Sequence, residues 1–313
     1  MNKNKIDIVI ISYNTRELTI DCIRSAIDTA AQLINQIVLV DNASSDGTVE
    51  AVISGFPLVR IIANEKNKGF SAAVNQGFRA SSAGIIFVSN TDVVFHKDTI
   101  RLLASRLQIS ERCGIVGGQQ IFPNGKWQRS YGEYPSVKHA LKDLFLLPHL
   151  SNLVNETLWD IGFRPRKIKT PDYIDGALMA ISREAYDEVG GFDESYFFYT
   201  EEADFCRRLK EKGRRVEYFP RATLTHLRGG GGEANVDTSR TLFETKAYFV
   251  EKHYSKFSRK LFIAIETLHV HVTAYLLKFT SVFTLGRLRK KIKSKTSAFE
   301  KYCAAWREIL QNS

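Results

Sequence analysis

Short apolar runs alternate with segments of helical periodicity through the first 118 residues of the chain. Continuous apolar runs rich in β-branched residues predict strands that are buried on both faces, and a 3.6-residue apolar spacing predicts the helices between them. Such an alternation, with short polar connections, favours a mainly parallel Rossmann-like sheet flanked by helices. The predicted strands are Ile6–Ser12, Gln36–Val40, Leu58–Ala63, Ile85–Ser89 and Gly114–Gly118, and the predicted helices are Glu17–Ala31, Val49–Ser54, Phe70–Ala80 and Thr99–Gln108.

The pattern changes after this first part. Phe122–Pro171 is rich in aromatic residues and proline and is interpreted as an elaborated loop region. Strands are then predicted at Tyr173–Ile181 and Arg215–Phe219, with helices at Arg183–Val189, Glu201–Lys212 and residues 235–258. We therefore expect residues 1–118 to be a nucleotide-binding half, 119–234 to complete the same domain, and 235–313 to form a helical C-terminal extension.

Positive charge is concentrated in that extension. The net charge is +10, and residues 251–313 hold 13 Lys/Arg against 4 Asp/Glu, which leaves 31 against 30 for the first 250 residues. A nearly neutral main domain argues against a nucleic-acid-binding protein, whose binding face would be basic. Leu261–Leu285 is rich in apolar residues but contains too many charged and polar residues for an ordinary membrane-spanning helix. The basic cluster Arg287–Lys295 follows it. This pair predicts either a peripheral membrane anchor or a core-packing helix with a solvated tail.

The amino-acid composition further limits the class of protein and its expected compartment. A hydrophobic content of 44% and a charged content of 25% are typical of a globular protein with a substantial core. The four cysteines are scattered and form no CxxC pair, which argues against a zinc site or a disulfide framework and suits a reducing compartment. No apolar leader precedes the first predicted strand, so we expect no secretion and a cytoplasmic location.

Several acids and one histidine follow predicted strands. Asp41 and Asp92 come after the second and fourth strands, and His226 follows the last one. Ligands of open α/β sheets bind at the carboxyl ends of the strands. Asp92 is therefore either a metal-binding carboxylate or a cap of the helix that begins near Lys97. The sequence contains neither GxGxxG after the first strand nor a GxxxxGK[ST] loop, which removes the main support for a dinucleotide or P-loop site.

Taken together, these side chains suit a Mg²⁺ or Mn²⁺ ion bound to a diphosphate, because such ions prefer carboxylate and phosphate oxygens and accept imidazole. Glu201, Glu202 and Asp204 open a helix after the aromatic run Ser195–Thr200 and supply a candidate general base. Each feature alone has an ordinary structural explanation, as a turn, a helix start or a surface imidazole.

Seven stretches, in order, resemble the motifs of family 2 glycosyltransferases with the GT-A fold, in particular the rhamnosyltransferase-like branch. They are Val9–Asn14 (VIISYN), Val40–Thr48 (VDNASSDGT), Asn64–Asn75 (NEKNKGFSAAVN), Val88–Asp92 (VSNTD), Asp175–Ala180 (DGALMA), Val189–Arg208 (VGGFDESYFFYTEEADFCRR) and His226–Gly229 (HLRG). The resemblance implies an inverting transferase that uses a nucleotide-diphosphate sugar, with residues 1–118 binding the donor and 119–234 binding the acceptor and performing catalysis.

The resemblance also implies roles for individual residues. Asp92 would bind the metal, and His226 would be a further metal ligand or a diphosphate contact. Glu202 stands at the position of the catalytic base, although the family usually has Glu-Asp where this chain has Glu201-Glu202, so Glu201 and Asp204 remain alternatives. Residues expected to line the donor pocket are Ser12, Tyr13, Asn14, Asp41, Asn42, Asn67, Lys68, Gly69, Asn75, Asn90 and Thr91.

The acceptor side is expected in the second half of the domain. Asp175 and Gly176 match family positions near the acceptor, and Trp127 and Tyr131 of the aromatic segment either stack on the acceptor sugar or belong to ordinary packing. The resemblance favours transfer of rhamnose from dTDP-rhamnose to a saccharide or lipid-linked saccharide at the cytoplasmic face of a membrane. A UDP-sugar donor and a non-catalytic nucleotide-sugar or nucleic-acid binder are the alternatives.

Overall fold

A computed structural model describes residues 5–145, 164–228 and 238–283. Within these residues the chain divides into two compact units. The first is drawn from Met1–Glu133 and Leu158–Asn235, and the second from Tyr134–Thr157 and Val236–Ser313. The roles expected for residues 1–118, 119–234 and 235–313 stay predictions.

The first unit is built on a mixed sheet that has nine strands within the described residues. Strand order is β3-β2-β1-β4-β10-β6-β11-β5, and β7 pairs with β6 outside this path. The β3-β2-β1-β4 half is parallel, whereas β10 runs antiparallel between β4 and β6. The strands are β1 Ile6–Ser12, β2 Ile34–Asp41, β3 Arg60–Ala63, β4 Ile85–Asn90, β5 Val93–Phe95, β6 Cys113–Ile121, β7 Trp127–Gln128, β10 Leu178–Ser182 and β11 Arg215–His226.

Helices cover both faces of this sheet, since buried apolar residues form one cluster on each side of it. A further pair of short strands, β8 Tyr131–Gly132 and β9 Tyr173–Ile174, forms a separate ribbon. The helices of the first unit are α1 Arg16–Ala30, α2 Thr48–Gly55, α3 Phe70–Ala80, α4 Thr99–Ile109, α6 Arg183–Val189 and α7 Glu201–Glu211. The order and type of the elements predicted for residues 1–118 are confirmed, with boundaries that shift by a few residues.

Three differences from the predicted pattern matter for the site. Val93–Phe95 forms the extra strand β5, so Asp92 does not cap the next helix, whose N-cap is Asp98. The segment predicted as one strand at Tyr173–Ile181 is split into β9 and β10, which leaves Asp175–Ala177 as a turn. The last strand extends beyond Phe219 to His226. Periodicity could not reveal these features, because three-residue strands and breaks in strands depend on pairing with distant parts of the chain.

The second unit consists of helices within the described residues: α5 Val137–Leu144, α8 Thr238–His253 and α9 Lys256–Phe283. They share an apolar core that includes Ala140, Phe243 and Phe262, and the rings of Phe243 and Phe262 lie parallel at 6.4 Å. The first half of Leu261–Leu285 therefore packs on its own unit, as one of the two interpretations predicted. The basic cluster Arg287–Lys295 lies outside the described residues. In the described part of the chain, no helix combines the length and apolar character needed to cross a bilayer.

Candidate active site

The carboxyl ends of β1, β2 and β4 meet at one edge of the sheet. In the parallel register Ser12 lies beside Asp41, and Ile11 lies beside Asn90. Strand order reverses between β1 and β4, which is where open α/β sheets bind their ligands. The predicted donor-site residues at these strand ends are therefore brought together by the fold.

Asp41 is 1% exposed and organises the loop that follows it. Its carboxylate accepts hydrogen bonds from the backbone N–H and the hydroxyl of Ser44, at 2.8 and 2.6 Å. Asn14 supports the same loop, because its amide oxygen accepts the N–H of Ser45 at 2.8 Å and its own N–H donates to the Ser44 hydroxyl at 2.8 Å. These two residues give the first wall of the candidate pocket a defined backbone conformation.

Asn42 and Asn75 are satisfied by the protein itself. The Asn42 amide donates to the carbonyl of Gly69 at 3.2 Å and accepts from Asn64 at 3.0 Å. Asn75 donates to the Phe192 carbonyl and to Glu194, and it accepts from the Tyr186 hydroxyl and the Phe192 N–H. Both amides hold loops around the pocket, and their expected contact with a donor stays a prediction.

Hydroxyl groups fill the space beneath the strand ends. The Ser12 hydroxyl lies 3.4 and 3.2 Å from those of Thr15 and Thr19, and Thr91 donates to Thr15 at 3.0 Å. Ser12 is fully buried and Thr91 is 5% exposed, so their side chains belong to an internal network. Half-buried Tyr13, Asn67 and Asn90 and exposed Lys68 are the remaining predicted donor-site side chains.

Gly69, one of the predicted donor-site residues, packs closely against Phe197 of the aromatic run Ser195–Thr200. It has a φ of +83°, and a Cβ atom there would lie 2.5 Å from the carbonyl oxygen of Phe197. The next residue, Phe70, donates its N–H to that same carbonyl at 2.7 Å. Any side chain at position 69 would push this segment away, so the glycine is required by the fold whether or not a donor binds.

Asp92 and His226 form the candidate metal site. Asp92 Oδ2 lies 3.3 Å from His226 Nε2, and the two residues are 6% and 8% exposed. The backbone reinforces the pair, because the N–H of Leu227 donates to the Asp92 carbonyl at 2.9 Å. Residues from β11 and from the end of β4 are thus held side by side, although they are more than 130 positions apart in the chain.

The donor set fits one divalent cation. Ligands at about 2.1 Å from an octahedral ion lie about 3 Å apart when they are adjacent, which matches the separation of Oδ2 and Nε2. Among the described residues no group of three or more His, Cys, Asp or Glu could hold an ion. Two protein ligands leave several coordination positions for the oxygens of a diphosphate, as expected for an ion bound mainly through a substrate.

Buried carboxyl groups lie at the start of α7. Glu201 is 4% exposed, and burial together with the neighbouring Glu202 raises its pKa well above the usual value. Burial and the charge of Asp175 raise the pKa of Glu202 to about 7. The Oε2 atoms of both residues are buried without a hydrogen-bond partner in the described structure. Such oxygens are costly to bury unless a ligand or a proton completes them.

Asp204 differs from the other two acids. Its carboxylate is fully buried and accepts a hydrogen bond from Arg208 Nε at 2.8 Å within an i,i+4 ion pair. This carboxylate is already paired with an internal cation, whereas Glu202 has an oxygen without a hydrogen-bond partner in the described structure. The geometry therefore favours Glu202 over Asp204 as the acid available to a substrate.

The turn Asp175–Ala177 faces this acid pair. Asp175 Oδ1 accepts the backbone N–H of Ala177 at 3.0 Å and the amide of Gln120 at 3.4 Å. A Cβ atom on Gly176 would meet only the Phe70 ring, at 3.9 Å, which is an ordinary contact. No described protein atom demands glycine at this position, so the space above it is open to a ligand.

The backbone before the acid pair is strained. Tyr199 and Thr200 both have a φ of +71° and directly precede Glu201. Left-handed conformations are costly for residues with a Cβ, above all for β-branched threonine, and such strain concentrates at functional sites. Phe197 and Phe198 of the same run are 38% and 36% exposed and present aromatic rings beside the acids.

The predicted acceptor aromatics lie in the sheet region. Trp127 is 5% exposed and belongs to β7, which favours the packing interpretation for its ring. Tyr131 is half-buried, and its ring lies 4.8 Å from that of Tyr218 and 4.8 Å from the Lys169 ammonium. Their contact with an acceptor stays a prediction.

Three residues near the site were missed at the sequence level. Gln120 and Gln128 both contact the imidazole of His226. Arg228 lies close enough to Tyr199 to oppose the rise in its pKa that burial and Glu201 cause. The signal for Arg228 was present in the HLRG stretch, as a cation two residues after the histidine. The glutamines carried no signal, because only sheet pairing brings them to the histidine.

Comparison with known proteins places this site in a family. The sequence profile described as glycosyl transferase family 2 matches residues 7–190, more than half of the chain. A second profile, described as the N-terminal domain of galactosyltransferase, matches residues 165–228. The two matches together cover the strand ends, the acid pair and His226.

Two curated relatives are similar over the same region. The chain is 29% identical over 205 residues to the N-acetylglucosaminyl-diphospho-decaprenol L-rhamnosyltransferase of Mycobacterium tuberculosis, covering 61% of this chain and 66% of the relative. It is 27% identical over 221 residues to a low-salt glycan biosynthesis hexosyltransferase of Haloferax volcanii, covering 66% and 62%. The chain thus spans no more than about two thirds of these relatives.

Solved structures share the fold. A mannosyltransferase from Pyrobaculum calidifontis in complex with GDP-Man and Mn²⁺ superposes with a TM-score of 0.58 at 15% identity, covering 96% of this chain and 85% of that one. The glucosyl-3-phosphoglycerate synthase of Mycobacterium tuberculosis, in complex with Mn²⁺, UDP and phosphoglyceric acid, has a TM-score of 0.53 at 14% identity, with coverages of 80% and 79%. The predicted GT-A fold is confirmed.

Proposed function

The chain belongs to glycosyltransferase family 2, and from that membership we propose that it transfers a sugar, with inversion, from a nucleotide-diphosphate donor to a saccharide or lipid-linked saccharide acceptor. One observation carries the proposal. The Asp92–His226 pair lies at the ligand-binding edge of the sheet and is linked by hydrogen bonds through Gln120 to Asp175, whose charge acts on Glu202. A cation-binding pair and a proton acceptor are thus parts of one buried polar network.

Glu202 acts as the general base in this mechanism. A pKa of about 7 leaves the carboxylate basic enough to accept the proton of an attacking hydroxyl while a large fraction stays ionised near neutral pH. Its unpartnered Oε2 is the atom that receives the proton. A single displacement by the activated hydroxyl inverts the anomeric carbon, so no residue needs to form a covalent intermediate.

Asp92 and His226 would hold a divalent ion, Mg²⁺ or Mn²⁺, which would supply positive charge against the negative charge that grows on the departing diphosphate. Asp41 and its loop bind the nucleotide, with Tyr13, Asn67, Lys68 and Asn90 at the pocket walls. The exposed Arg228 supplies additional positive charge beside the acid pair.

The relatives support a proposal for the donor and the acceptor. Similarity to a rhamnosyltransferase that acts on a diphospho-decaprenol-linked sugar supports rhamnose from dTDP-rhamnose and a lipid-linked acceptor. Such an acceptor would hold the enzyme at a membrane surface, for which the basic C-terminal residues are suited. We propose a peripheral position on the cytoplasmic face, in cell-surface polysaccharide assembly.

A donor screen tests this function directly. Purified protein is incubated with Mn²⁺ and either dTDP-rhamnose or a panel of UDP- and GDP-sugars, and thermal shift and nucleoside diphosphate release are measured with a polyprenyl-diphosphate-linked saccharide present. Acceptor-dependent release of dTDP is the expected result. Release from a UDP-sugar alone would replace the donor assignment, and donor binding without turnover for every pair would identify a non-catalytic binder.

A further inference from the structure

Two glutamine side chains converge on one nitrogen of His226. The Nδ1 atom lies 3.1 Å from Gln120 Oε1 and 2.5 Å from Gln128 Oε1. The two glutamines are direct cross-strand partners on β6 and β7, and they are 1% and 2% exposed. β11 pairs with the other edge of β6, which brings His226 alongside them. The contact is therefore built into the sheet.

The orientation of each amide follows from its second contact. The NH₂ group of Gln128 donates to the backbone carbonyl of His226 at 3.2 Å, and that of Gln120 donates to Asp175 at 3.4 Å. Rotating either amide by 180° would set its oxygen against another oxygen. Both Oε1 atoms therefore face Nδ1, and an atom that faces two acceptors must carry a proton.

The opposite nitrogen is then the one that faces the acid. With the proton on Nδ1, a neutral His226 presents the lone pair of Nε2 to Asp92 Oδ2, 3.3 Å away. Two lone pairs at that distance repel unless a cation or a proton lies between them. The histidine is thus oriented as a cation ligand by groups that do not themselves reach the cation.

We propose that Gln120 and Gln128 are positioning residues that lock His226 in the Nδ1–H tautomer and aim Nε2 at the cation site beside Asp92. The cation role rests on the proposed function, whereas the tautomer rests on the hydrogen bonds alone. Groups that orient a metal-binding histidine through its other nitrogen are expected to change metal affinity about 10- to 100-fold when they are removed.

Gln120 has a second consequence, because it joins both halves of the site. Its oxygen contacts His226 Nδ1, and its NH₂ group donates to Asp175 Oδ1 at 3.4 Å. An apolar side chain at this buried strand position would leave both neighbours without this partner. Within the described residues, both ends of the Gln128 amide contact His226, which makes Gln128 the cleaner position for a test.

The tautomer is measured directly by long-range ¹H–¹⁵N correlation spectra of protein labelled with ¹⁵N-histidine, with His226 assigned by His226→Gln. The wild-type protein is expected to show His226 protonated on Nδ1 whether or not metal is bound. Gln128→Met, of similar volume, should weaken this preference and shift the proton towards Nε2, whereas Gln128→Glu keeps an acceptor at Nδ1 and should retain the wild-type pattern. A wild-type His226 that lacks the proton on Nδ1 overturns the proposal.

Metal affinity is the second measurement. Mn²⁺ is titrated by electron paramagnetic resonance in the presence of dTDP, and thermal melting verifies that each variant is folded. We expect the affinity of Gln128→Met to fall by at least about 10-fold and that of Gln128→Glu to stay within a few-fold of wild type. Equal affinities for wild type and Gln128→Met refute the positioning role. A wild-type protein with the Nδ1–H tautomer but no Mn²⁺ binding leaves the tautomer lock intact and contradicts the metal in the proposed function.

Discussion

At the scale of single residues, the site depends on acids whose environments differ. Glu202 and Asp204 lie two positions apart at the start of one helix, but Arg208 neutralises Asp204 while Glu202 has an unpartnered oxygen. Burial and the charge of Asp175 raise the pKa of Glu202 to about 7. Two carboxyl groups in such different environments are suited to different roles. A carboxylate whose pKa lies near neutral pH is well suited to accept a proton.

Glu202→Gln is expected to lower kcat about 100- to 10,000-fold, because the amide cannot accept the proton of the acceptor hydroxyl. Donor binding, measured by calorimetry with Mn²⁺, should change little. Glu211→Gln, on the exposed end of the same helix, is the matched control and should leave both quantities unchanged. Near-normal turnover of Glu202→Gln would reject this residue as the base.

Asp175→Asn is expected to move the acidic limb of the kcat/KM profile to lower pH. The negative charge of Asp175 raises the pKa of Glu202, so its removal lowers that pKa and keeps Glu202 ionised in more acidic solution. Asp172→Asn serves as the control, because Asp172 forms its ion pair with Lys210 instead. A profile whose acidic limb stays in place, or moves to higher pH, contradicts the coupling.

At the scale of elements, glycine occurs at two loop positions near the site for different structural reasons. Gly69 is required by its own backbone and by the nearby carbonyl of Phe197. Gly176 has no such requirement from described protein atoms, although it lies beside Asp175 in the turn between β9 and β10. The first glycine is explained by the fold, whereas the described protein atoms leave space for a ligand at the second.

Gly176→Ala is expected to keep the melting temperature of the wild type and to raise the KM of the acceptor several-fold, since the added methyl group occupies space open to the ligand. Gly84→Ala provides the control, because a Cβ atom there would meet nothing within 4 Å. Melting temperature and initial rates at varied acceptor concentration are measured for both. Unchanged kinetics for Gly176→Ala would exclude close approach of the acceptor at this turn.

The helix α9 carries a buried acid of its own. Glu266 is 6% exposed, and burial raises its pKa from 4.5 to about 7, with Asp143 contributing in the same direction and Lys246 opposing. A carboxyl group with a raised pKa in the folded state binds its proton more tightly there than in the unfolded chain. The folded state therefore loses stability as pH rises from about 4.5 through 7.

Glu266→Gln is expected to raise the melting temperature at pH 8 and to have little effect at pH 4.5, because the amide carries no charge to bury. The gain above pH 7 is at most about 4 kcal/mol, from about 1.4 kcal/mol per unit of the difference between a pKa of 4.5 and one of about 7. Glu251→Gln, whose exposed carboxylate pairs with Arg259, is the control and lacks this pH dependence. A gain that is the same at both pH values would contradict a raised pKa for Glu266.

At the scale of the whole molecule, the C-terminal extension contains a packed helix and, after it in the sequence, a basic cluster. Phe262, Ile263 and Ile265 belong to the apolar core of the second unit, so the first half of α9 is structural. The basic cluster Arg287–Lys295 carries the charge that suits an anionic membrane surface. A truncation that tests membrane binding should therefore begin after residue 283, so that the whole described part of α9 is kept.

Deletion of residues 284–313 is expected to weaken sedimentation with anionic phosphatidylglycerol vesicles and to leave binding to neutral phosphatidylcholine vesicles unchanged. The melting temperature should stay close to that of the full chain, because the core of the second unit is retained. Sedimentation should also weaken at high salt, which screens the charges. Equal sedimentation of the full and shortened chains would place membrane contact elsewhere.

Several strands and helices could be predicted from the sequence for physical reasons. Buried parallel strands need continuous apolar runs, and the helices that cover them need apolar residues at helical spacing, so Ile6–Ser12 and Phe70–Ala80 were predicted with their observed bounds. Acids directly after strands indicated Asp41 and Asp92, because parallel strands bring their carboxyl ends to one edge. The family followed from seven motifs in order.

Long-range pairing decided the rest. The antiparallel insertion of β10, the extension of β11 to His226 and the extra strand after Asp92 arise from hydrogen bonds between segments far apart in the chain. The same pairing brings Gln120 and Gln128 to His226. The charge of Asp175, which is distant in sequence, contributes to the raised pKa of Glu202, whereas Asp204 pairs with Arg208 one turn along the same helix. The residue pattern was enough to identify acids and a histidine that gather at the sheet edge. Which of these groups are oriented by neighbours or left open to a substrate follows from the folded chain, because those properties depend on contacts between segments that are far apart in sequence.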